Sequence, residues 1–228
     1  MQNRIWTMSI PDNALYDGAT YKVDLSSLPA RMQDYIENST FLGSGASSAA
    51  WLLPNSTVLK LTTDEATWSL SSWQHQHKKP HLPKILELGK IPVTLQAFEH
   101  SKPNWESWYF LVQPLYVPVD PGLWNRIETM GSSIGLSHCK TRPGWCKTKN
   151  GLMAHGQLAT EHLMALSDTF AQSKHSKIMQ AACAVSALAQ WWTQTRTRAG
   201  LDVDKPDNWA MTGSTGKLIL LDPVYGND

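Results

Sequence analysis

Two short apolar runs on either side of a three-residue turn set the first limit on how this chain can fold. The runs lie at residues 49–53 and 57–61, and Pro54-Asn55-Ser56 joins them. These turn residues favour a tight reversal between strands, so a β-hairpin is predicted. The glycine turn Gly43-Ser44-Gly45 precedes the hairpin, and Lys60 falls inside its second strand.

A helix and two further strands are predicted after this hairpin. Residues 63–77 begin with polar residues that can cap a helix and carry apolar residues along one side. Strands are predicted at residues 84–89 and 108–112, and the second leads directly into Gln113-Pro114-Leu115. The first half is therefore expected to be rich in strands and to end in a hinge near residues 113–117.

The second half has the pattern of helices followed by one more hairpin. Helices are predicted at residues 123–130 and within 151–198, where apolar residues recur at helical spacing. The last 28 residues contain a polar acidic loop, strands at 209–211 and 217–221 around a glycine-containing turn, and then Asp222-Pro223. The predicted fold class is α+β, with a strand-rich N-terminal lobe and a mostly helical C-terminal lobe.

Composition excludes several functional classes. The chain has 20 Lys+Arg against 19 Asp+Glu, and this balance argues against direct binding to nucleic acid. No apolar run is long enough to span a membrane. The three cysteines are too few for a disulfide framework and indicate a reducing cytoplasm. The phosphate-binding motif of P-loop proteins does not occur.

Four features of the sequence are parts that phosphoryl transfer from ATP needs. Backbone amides of a glycine turn can cover phosphates, a lysine in a strand can bind their oxygens, and two oxygen ligands can hold Mg²⁺. The chain offers Gly43-Ser44-Gly45, then Lys60, and far downstream Asn208 and Asp222. Each feature alone is common in unrelated proteins, but their order favours a nucleotide site.

This order resembles the protein kinase-like fold, and most closely the early serine/threonine protein kinases of short-tailed, autographivirus-type bacteriophages. The resemblance covers residues 40–116 and 200–225 and rests on FLGSGASSAAW, LLPNSTVLKL, HLPKILELG, YFLVQPL, LDVDKPDNWAM and KLILLDPV. It implies a two-lobed fold. Residues 1–40 would form a leader and a short helix (28–39), 41–116 the N-terminal lobe with its hinge, and 117–228 a short C-terminal lobe.

The resemblance also implies roles for individual residues, with ATP and Mg²⁺ as cofactors. It places four residues over the nucleotide phosphates: Gly43, Ser44, Gly45 and Ala46. It places Lys60 on the α- and β-phosphates and makes Gln113 to Leu115 the hinge whose backbone meets adenine. Asn208 and Asp222 would be the Mg²⁺ ligands.

The catalytic base is left open between two carboxylates. Kinases place an aspartate five residues before the metal-binding Asn, but that position is Val203 here. The flank Leu-Asp-Val favours Asp202, with one inserted residue, and the flank Lys-Pro-Asp-Asn favours Asp204. Alternatively Asp207, five residues after Asp202, replaces Asn208 as a ligand. We favour Asp202.

Two further expectations concern what the chain lacks. Kinases pair the strand lysine with a glutamate of the next helix, and Glu65 is the only glutamate between Lys60 and Glu87. Glu65 is equally well explained as a residue that complements the helix dipole. Only six residues follow Asp222, so a truncated C-terminal lobe is expected. A peptide platform would then come from residues 117–198 or from a partner.

The expected function is transfer of the ATP γ-phosphate to serine or threonine of host bacterial proteins, in the host cytoplasm during infection. Because the base is displaced and the C-terminal lobe is short, an alternative is an inactive, pseudokinase-like protein that binds and inhibits a host protein. A third interpretation is a small-molecule kinase. The sequence does not determine the oligomeric state.

Two other features have ordinary explanations. His138-Cys139, Cys146 and His155 could contribute to a zinc site, but their spacing fits no familiar finger, and a polar loop is the favoured interpretation. Of the adjacent Trp191 and Trp192, one is expected in the core and the other at the surface, because one face of a helix does not bury both.

Overall fold

The computed structural model divides the chain into two compact units. The described residues are 6–8, 21–23, 30, 38–44, 48–92, 107–132, 154–195, 199–201, 203 and 205–225. Unit 1 comprises Met1–Asp64 and Ile85–Leu115, and unit 2 comprises Glu65–Lys84 and Tyr116–Asp228. The predicted α+β class is confirmed, because strands dominate the first unit and helices the second.

Unit 1 is built on an antiparallel sheet of five strands. Its strands are β3 (Thr40–Ser44), β4 (Ser48–Leu52), β5 (Thr57–Thr62), β6 (Glu87–Pro92) and β7 (Ser107–Pro114). They lie in the order β3-β4-β5-β7-β6, so β5 is central. A separate antiparallel pair, β1 (Trp6–Met8) and β2 (Tyr21–Val23), falls in the segment predicted as a polar leader and helix.

The predicted hairpin at residues 49–61 is confirmed as β4 and β5, and its turn chemistry explains why it forms. Ser56 adopts a left-handed φ of 59°, which closes the reversal. The Asn55 side-chain oxygen accepts hydrogen bonds from the backbone N and the hydroxyl of Thr57, at 3.2 and 2.6 Å. Asparagine commonly stabilises turns in this way.

A close approach between β6 and β7 requires a glycine. Gly89 lies opposite Phe110, and a Cβ at position 89 would lie only 2.6 Å from the ring carbon Cζ of that residue. Phe110 is buried, so its ring has little room to move aside. We expect Gly89→Ala to destabilise the protein by about 1–3 kcal/mol, the usual effect of overpacking.

This prediction is tested by comparing the urea unfolding midpoint of Gly89→Ala with that of a control variant, Gly213→Ala. A Cβ on Gly213 meets nothing within 4 Å, so that variant should unfold at the wild-type midpoint. Equal midpoints for the two variants would contradict the packing argument.

Within its described residues, unit 2 contains four α-helices and two small sheets. The helices are α1 (Glu65–His77), α2 (Pro121–Ser132), α3 (Ala154–Ala171) and α4 (Ser176–Thr195). One antiparallel sheet has the order β11-β10-β8, from β8 (Tyr116–Pro118), β10 (Trp209–Thr212) and β11 (Leu218–Leu220). The strands β9 (Gly200–Leu201) and β12 (Val224–Tyr225) form the other.

The core of unit 2 surrounds α4. Small side chains on this helix, such as Ala181 and Ala184, are fully buried and allow α3 to approach closely. The hydroxyl of Ser167 on α3 donates to the carbonyl of Ala182 at 3.0 Å. At the start of α2, Asp120 caps the helix by accepting a hydrogen bond from Leu123 N at 2.9 Å.

Helix α1 is attached to this helical core. Its residues Ala66, Leu70 and Trp73 belong to the same buried cluster as α4. The Trp73 indole donates to Gln194 Oε1 at 2.7 Å, and the Trp191 indole donates to Ser69 Oγ at 3.3 Å. Two tryptophan side chains therefore fix α1 to α4.

Three sequence-based expectations need correction. Trp191 and Trp192 are both buried, with rings at 87° to each other, because α4 is surrounded on more than one side. The strand predicted at 84–89 begins only at Glu87. Pro83 lies just before this segment, and the backbone N of Lys84 donates to the Tyr116 hydroxyl instead of to a neighbouring strand. Gly43 and Ser44 are paired within β3 instead of forming a turn. Most of the predicted helix at 28–39 lies outside the described residues.

Candidate functional site

Lys60 lies in the central strand of unit 1, as predicted. It is half-buried and stands between Ala50 of β4 and Leu111 of β7. Its neighbours along β5, Leu59 and Leu61, point to the opposite face and are buried. A lysine in this position rests its apolar stem on the sheet and carries its ammonium group at the end.

The face of the sheet that carries Lys60 also carries an amide. Gln113 of β7 pairs with Val58, two residues before Lys60, so both polar side chains project from the same face. Gln113 is buried, with 8% of its surface exposed. Directly across from Lys60 on this face are the small Ala50 and the apolar Leu111.

The residues predicted to cover phosphates are only partly described. Gly43 pairs with Ala50 and Ser44 with Ala49, and the register shifts between Phe41 and Gly43. A Cβ on Gly43 would meet nothing within 4 Å, so packing does not require glycine there. Gly45 and Ala46, which follow β3, lie outside the described residues.

The predicted hinge coincides with the point where the chain leaves unit 1. Gln113 and Pro114 end β7, and Leu115 is the single residue between β7 and β8. Leu115 is exposed, and the next residue, Tyr116, begins the second segment of unit 2. Gln113 and Pro114 are therefore strand residues, and only Leu115 has the irregular backbone expected of a hinge.

The hairpin of β10 and β11 brings Asn208 against Leu221, the residue before Asp222, in unit 2. Asn208 ends a short 3₁₀ turn, Pro206–Asn208, and directly precedes β10. Its carbonyl accepts a hydrogen bond from Leu221 N at 2.6 Å, so the backbone of Asn208 lies against the residue before Asp222. The strand pair Trp209 and Leu220 continues this register.

The loop before Asn208 is fixed by a buried tryptophan. The Trp209 indole donates to the carbonyl of Val203 at 2.8 Å, and both residues are 1% exposed. Val203 occupies the position where kinase spacing would place the base, and here it is part of the core. The flanking candidates Asp202 and Asp204 both lie outside the described residues.

One residue near this hairpin was missed by the sequence analysis. The Thr67 hydroxyl of α1 lies 3.5 Å from Asp222 Oδ1 and is buried. The two residues are 155 positions apart, so no local pattern could have indicated the contact. Glu65, by contrast, is exposed in the first turn of α1.

Asn208 and Asp222 fit the requirements of Mg²⁺ as a donor pair. Mg²⁺ in nucleotide sites is held by one or two protein oxygen ligands together with phosphates and water. Asn208 is buried and Asp207 is exposed, which favours Asn208 as the inward-facing ligand. The described residues contain no group of three or more His, Cys, Asp or Glu that could hold a metal. The zinc candidates His138, Cys139 and Cys146 lie outside them.

No protein-family model and no curated protein matches this chain. Among solved structures it is similar to the ternary complex of APH(2″)-IIa, an aminoglycoside phosphotransferase, with streptomycin and ATP. The similarity covers 87% of this chain and 73% of the other, at 9% identity and a TM-score of 0.33.

Within the part of the chain that the structure describes, no helix combines the length and apolar character needed to cross a membrane.

The described elements follow the order predicted from the sequence. A lysine stands on the third strand of the N-terminal sheet, and a helix follows that strand. An asparagine then precedes the late hairpin, and an aspartate follows it. The chain is thus an α+β protein with a strand-rich first unit and a mostly helical second unit.

Proposed function

We propose that this chain is an ATP- and Mg²⁺-dependent phosphotransferase. The observation that carries the proposal is the hydrogen bond from Leu221 N to the carbonyl of Asn208, which brings the backbone of Asn208 against the residue before Asp222. In the sheet of unit 1, Lys60 adds a cation on a partly buried face. The proposal requires these groups to act on one nucleotide.

Each group has a defined part in the proposed reaction. Asn208 and Asp222 would hold Mg²⁺, which neutralises charge on the phosphates. Lys60 would bind the α- and β-phosphates. The bond between the γ-phosphorus and its bridging oxygen breaks as an acceptor hydroxyl forms a new bond to phosphorus. The hydroxyl proton passes to Asp202, or to Asp204.

We further propose that the acceptor is a serine or threonine of a host bacterial protein, modified in the bacterial cytoplasm during phage infection. This part rests on the sequence resemblance to phage kinases, carried by FLGSGASSAAW and KLILLDPV. The amides of Gly43 to Ala46 would cover the phosphates, and the backbone of Gln113 to Leu115 would meet adenine.

A second candidate is an inactive, pseudokinase-like protein that binds and inhibits a host protein, and Val203 favours it. Kinases place the catalytic aspartate five residues before the metal-binding asparagine. Val203 occupies that position here, and its side chain is buried in the core of unit 2.

Incubation with γ-labelled ATP and Mg²⁺, alone and with a bacterial lysate, separates the two candidates. We expect label on the chain or on lysate proteins, and a loss of about 10²-fold or more in Lys60→Ala. Lys90→Ala is the matched control, because Lys90 is an exposed lysine of the same sheet. Absence of label, without any rise in melting temperature on adding ATP, would support the inactive binder.

A further inference from the structure

Helix α1 carries buried polar side chains at helical spacing. Thr67, Ser71 and Gln74 each expose 8% of their surface or less. Burying a polar group is costly unless it is hydrogen-bonded, so specific partners are expected for such side chains. The Gln74 amide meets this expectation within its own segment, because it bonds to both the backbone N and the carbonyl of Lys79, at 3.0 and 2.9 Å.

Thr67 has a partner of a different kind, the carboxylate of Asp222. Its hydroxyl donates to Asp222 Oδ1 across 3.5 Å, in a setting that is partly shielded from water. Hydrogen bonds to an ionised acceptor are stronger than those between neutral groups. Thr67 also lies in the first turn of α1, where the helix dipole favours a neighbouring negative charge. The start of α1 is therefore suited to hold a charged Asp222.

The backbone on both sides of Asp222 is fixed independently of Thr67. Before it, Leu221 N donates to the carbonyl of Asn208 at 2.6 Å. After it, the buried Val224 begins β12, which pairs with β9 and packs against α1. These contacts place the Cα of Asp222 but leave its side chain free to choose among rotamers. The contact with Thr67 acts on that choice.

We infer that Thr67 is a positioning residue for Asp222, and that its hydroxyl orients the carboxylate toward a Mg²⁺ ion. The role of Asp222 as a ligand rests on the proposed function, whereas the contact between the two side chains does not. Metal ligands commonly depend on a hydrogen bond of this kind, which fixes the orientation of the ligand. Thr67 is assigned no contact with the metal and acts through Asp222.

The first measurement is the Mg²⁺ concentration that half-saturates ATP binding in wild type, Thr67→Val and Thr67→Ser. Valine keeps the branched shape of threonine but has no donor. We expect Thr67→Val to raise the Mg²⁺ requirement about tenfold, as for the loss of an outer hydrogen bond to a metal ligand. Thr67→Ser restores the hydroxyl and should bind close to wild type. A role in packing alone predicts the opposite order, because valine fills the site better than serine.

Thr169→Val is the matched control for the loss of a helical hydroxyl. Thr169 lies in α3, and its hydroxyl donates at 2.9 Å to the carbonyl of Ala165 in the same helix. This variant should keep the wild-type Mg²⁺ requirement.

The second measurement is urea unfolding without Mg²⁺ or ATP, in a double-mutant cycle of Thr67→Val and Asp222→Ala. The effect of valine on packing is common to both backgrounds and cancels, so the cycle isolates the contact between the two side chains. We expect Thr67→Val to lower the unfolding midpoint more in wild type than in Asp222→Ala, where the acceptor is already gone. Equal shifts in the two backgrounds would overturn the inference.

The two measurements separate this inference from the proposed function. An unchanged Mg²⁺ requirement in Thr67→Val, or a rise that Thr67→Ser does not reverse, would refute the positioning of Asp222 for the metal. If wild type binds no Mg·ATP, the proposed function fails and the metal role of Thr67 fails with it. Unequal shifts in urea would even then support orientation of the Asp222 carboxylate by Thr67.

Discussion

Replacement of Asp222 with asparagine is expected to lower the rate of phosphate transfer by about 10²–10³-fold, the range typical of losing one preorganised electrostatic contact. Asparagine has nearly the same shape as aspartate, and Asp222 is only half-buried, so the hairpin should remain folded. What disappears is the negative charge that would hold Mg²⁺ in the proposed site. Initial rates measured over a series of Mg²⁺ concentrations should therefore show both a lower maximum and a higher Mg²⁺ requirement.

Two further variants serve as controls for Asp222→Asn. Asp168→Asn changes an exposed aspartate of α3 and should transfer phosphate at the wild-type rate. Asp207→Asn distinguishes the two possible ligands, because it should be harmless if the buried Asn208 binds the metal. A rate for Asp222→Asn equal to that of wild type would rule out Asp222 as a ligand. A loss in Asp207→Asn as large as that in Asp222→Asn would transfer the second ligand role to Asp207.

Elements with strong local chemistry were predictable from the sequence. The β4–β5 hairpin follows from Pro54-Asn55-Ser56, whose backbone and side-chain bonds close within five residues. The pairing of β10 with β11 is likewise local, and it carries Asn208 to the residue before Asp222. The Mg²⁺-ligand roles of Asn208 and Asp222 come instead from the resemblance to kinases, and they stay a prediction.

Contacts between distant segments were not predictable. Thr67 and Asp222 are 155 residues apart, and His81 and Leu218 are 137 apart. A single sequence contains no periodicity that reports such pairs. The left-handed backbone conformation of His81 is likewise set by tertiary contacts, because no propensity rule predicts it for a histidine.

Burial on a helix depends on what surrounds it, and α4 illustrates this limit. Apolar residues at helical spacing indicated one buried side, so one of two adjacent tryptophans was expected at the surface. In the structure α4 contacts α1, α2, α3 and β11, so more than one side is covered. Trp191 is fully buried and Trp192 is 7% exposed.

Truncation of Trp191 to alanine is the change expected to destabilise the fold most, by about 3–5 kcal/mol. The indole is fully buried in unit 2, stacks edge-on against Trp192, and donates to Ser69 of α1. Its removal leaves a cavity and eliminates the hydrogen bond to Ser69. Urea unfolding, followed by tryptophan fluorescence and by circular dichroism, measures the loss.

Two further variants separate the contributions of volume and hydrogen bonding. Trp191→Phe keeps most of the ring but loses the bond to Ser69, so it should cost less than the alanine variant. Met179→Ala, at a side chain of α4 that is 48% exposed, should change stability by no more than about 0.5 kcal/mol. A Trp191→Ala loss as small as that of Met179→Ala would mean that α4 does not form the centre of the unit.

Substitutions at Trp191 also connect the stability of unit 2 with the candidate site. Trp191 bonds to Ser69, one helical half-turn from Thr67, whose hydroxyl faces Asp222. Because α1 is held on the helical core by Trp191 and Trp73, loosening one of these anchors should displace Thr67 before unit 2 unfolds. We therefore expect Trp191→Phe to raise the Mg²⁺ requirement of ATP binding at urea concentrations where the fold is still intact. If Mg²⁺ dependence stays at the wild-type value until global unfolding, α1 stabilises the unit without positioning Asp222.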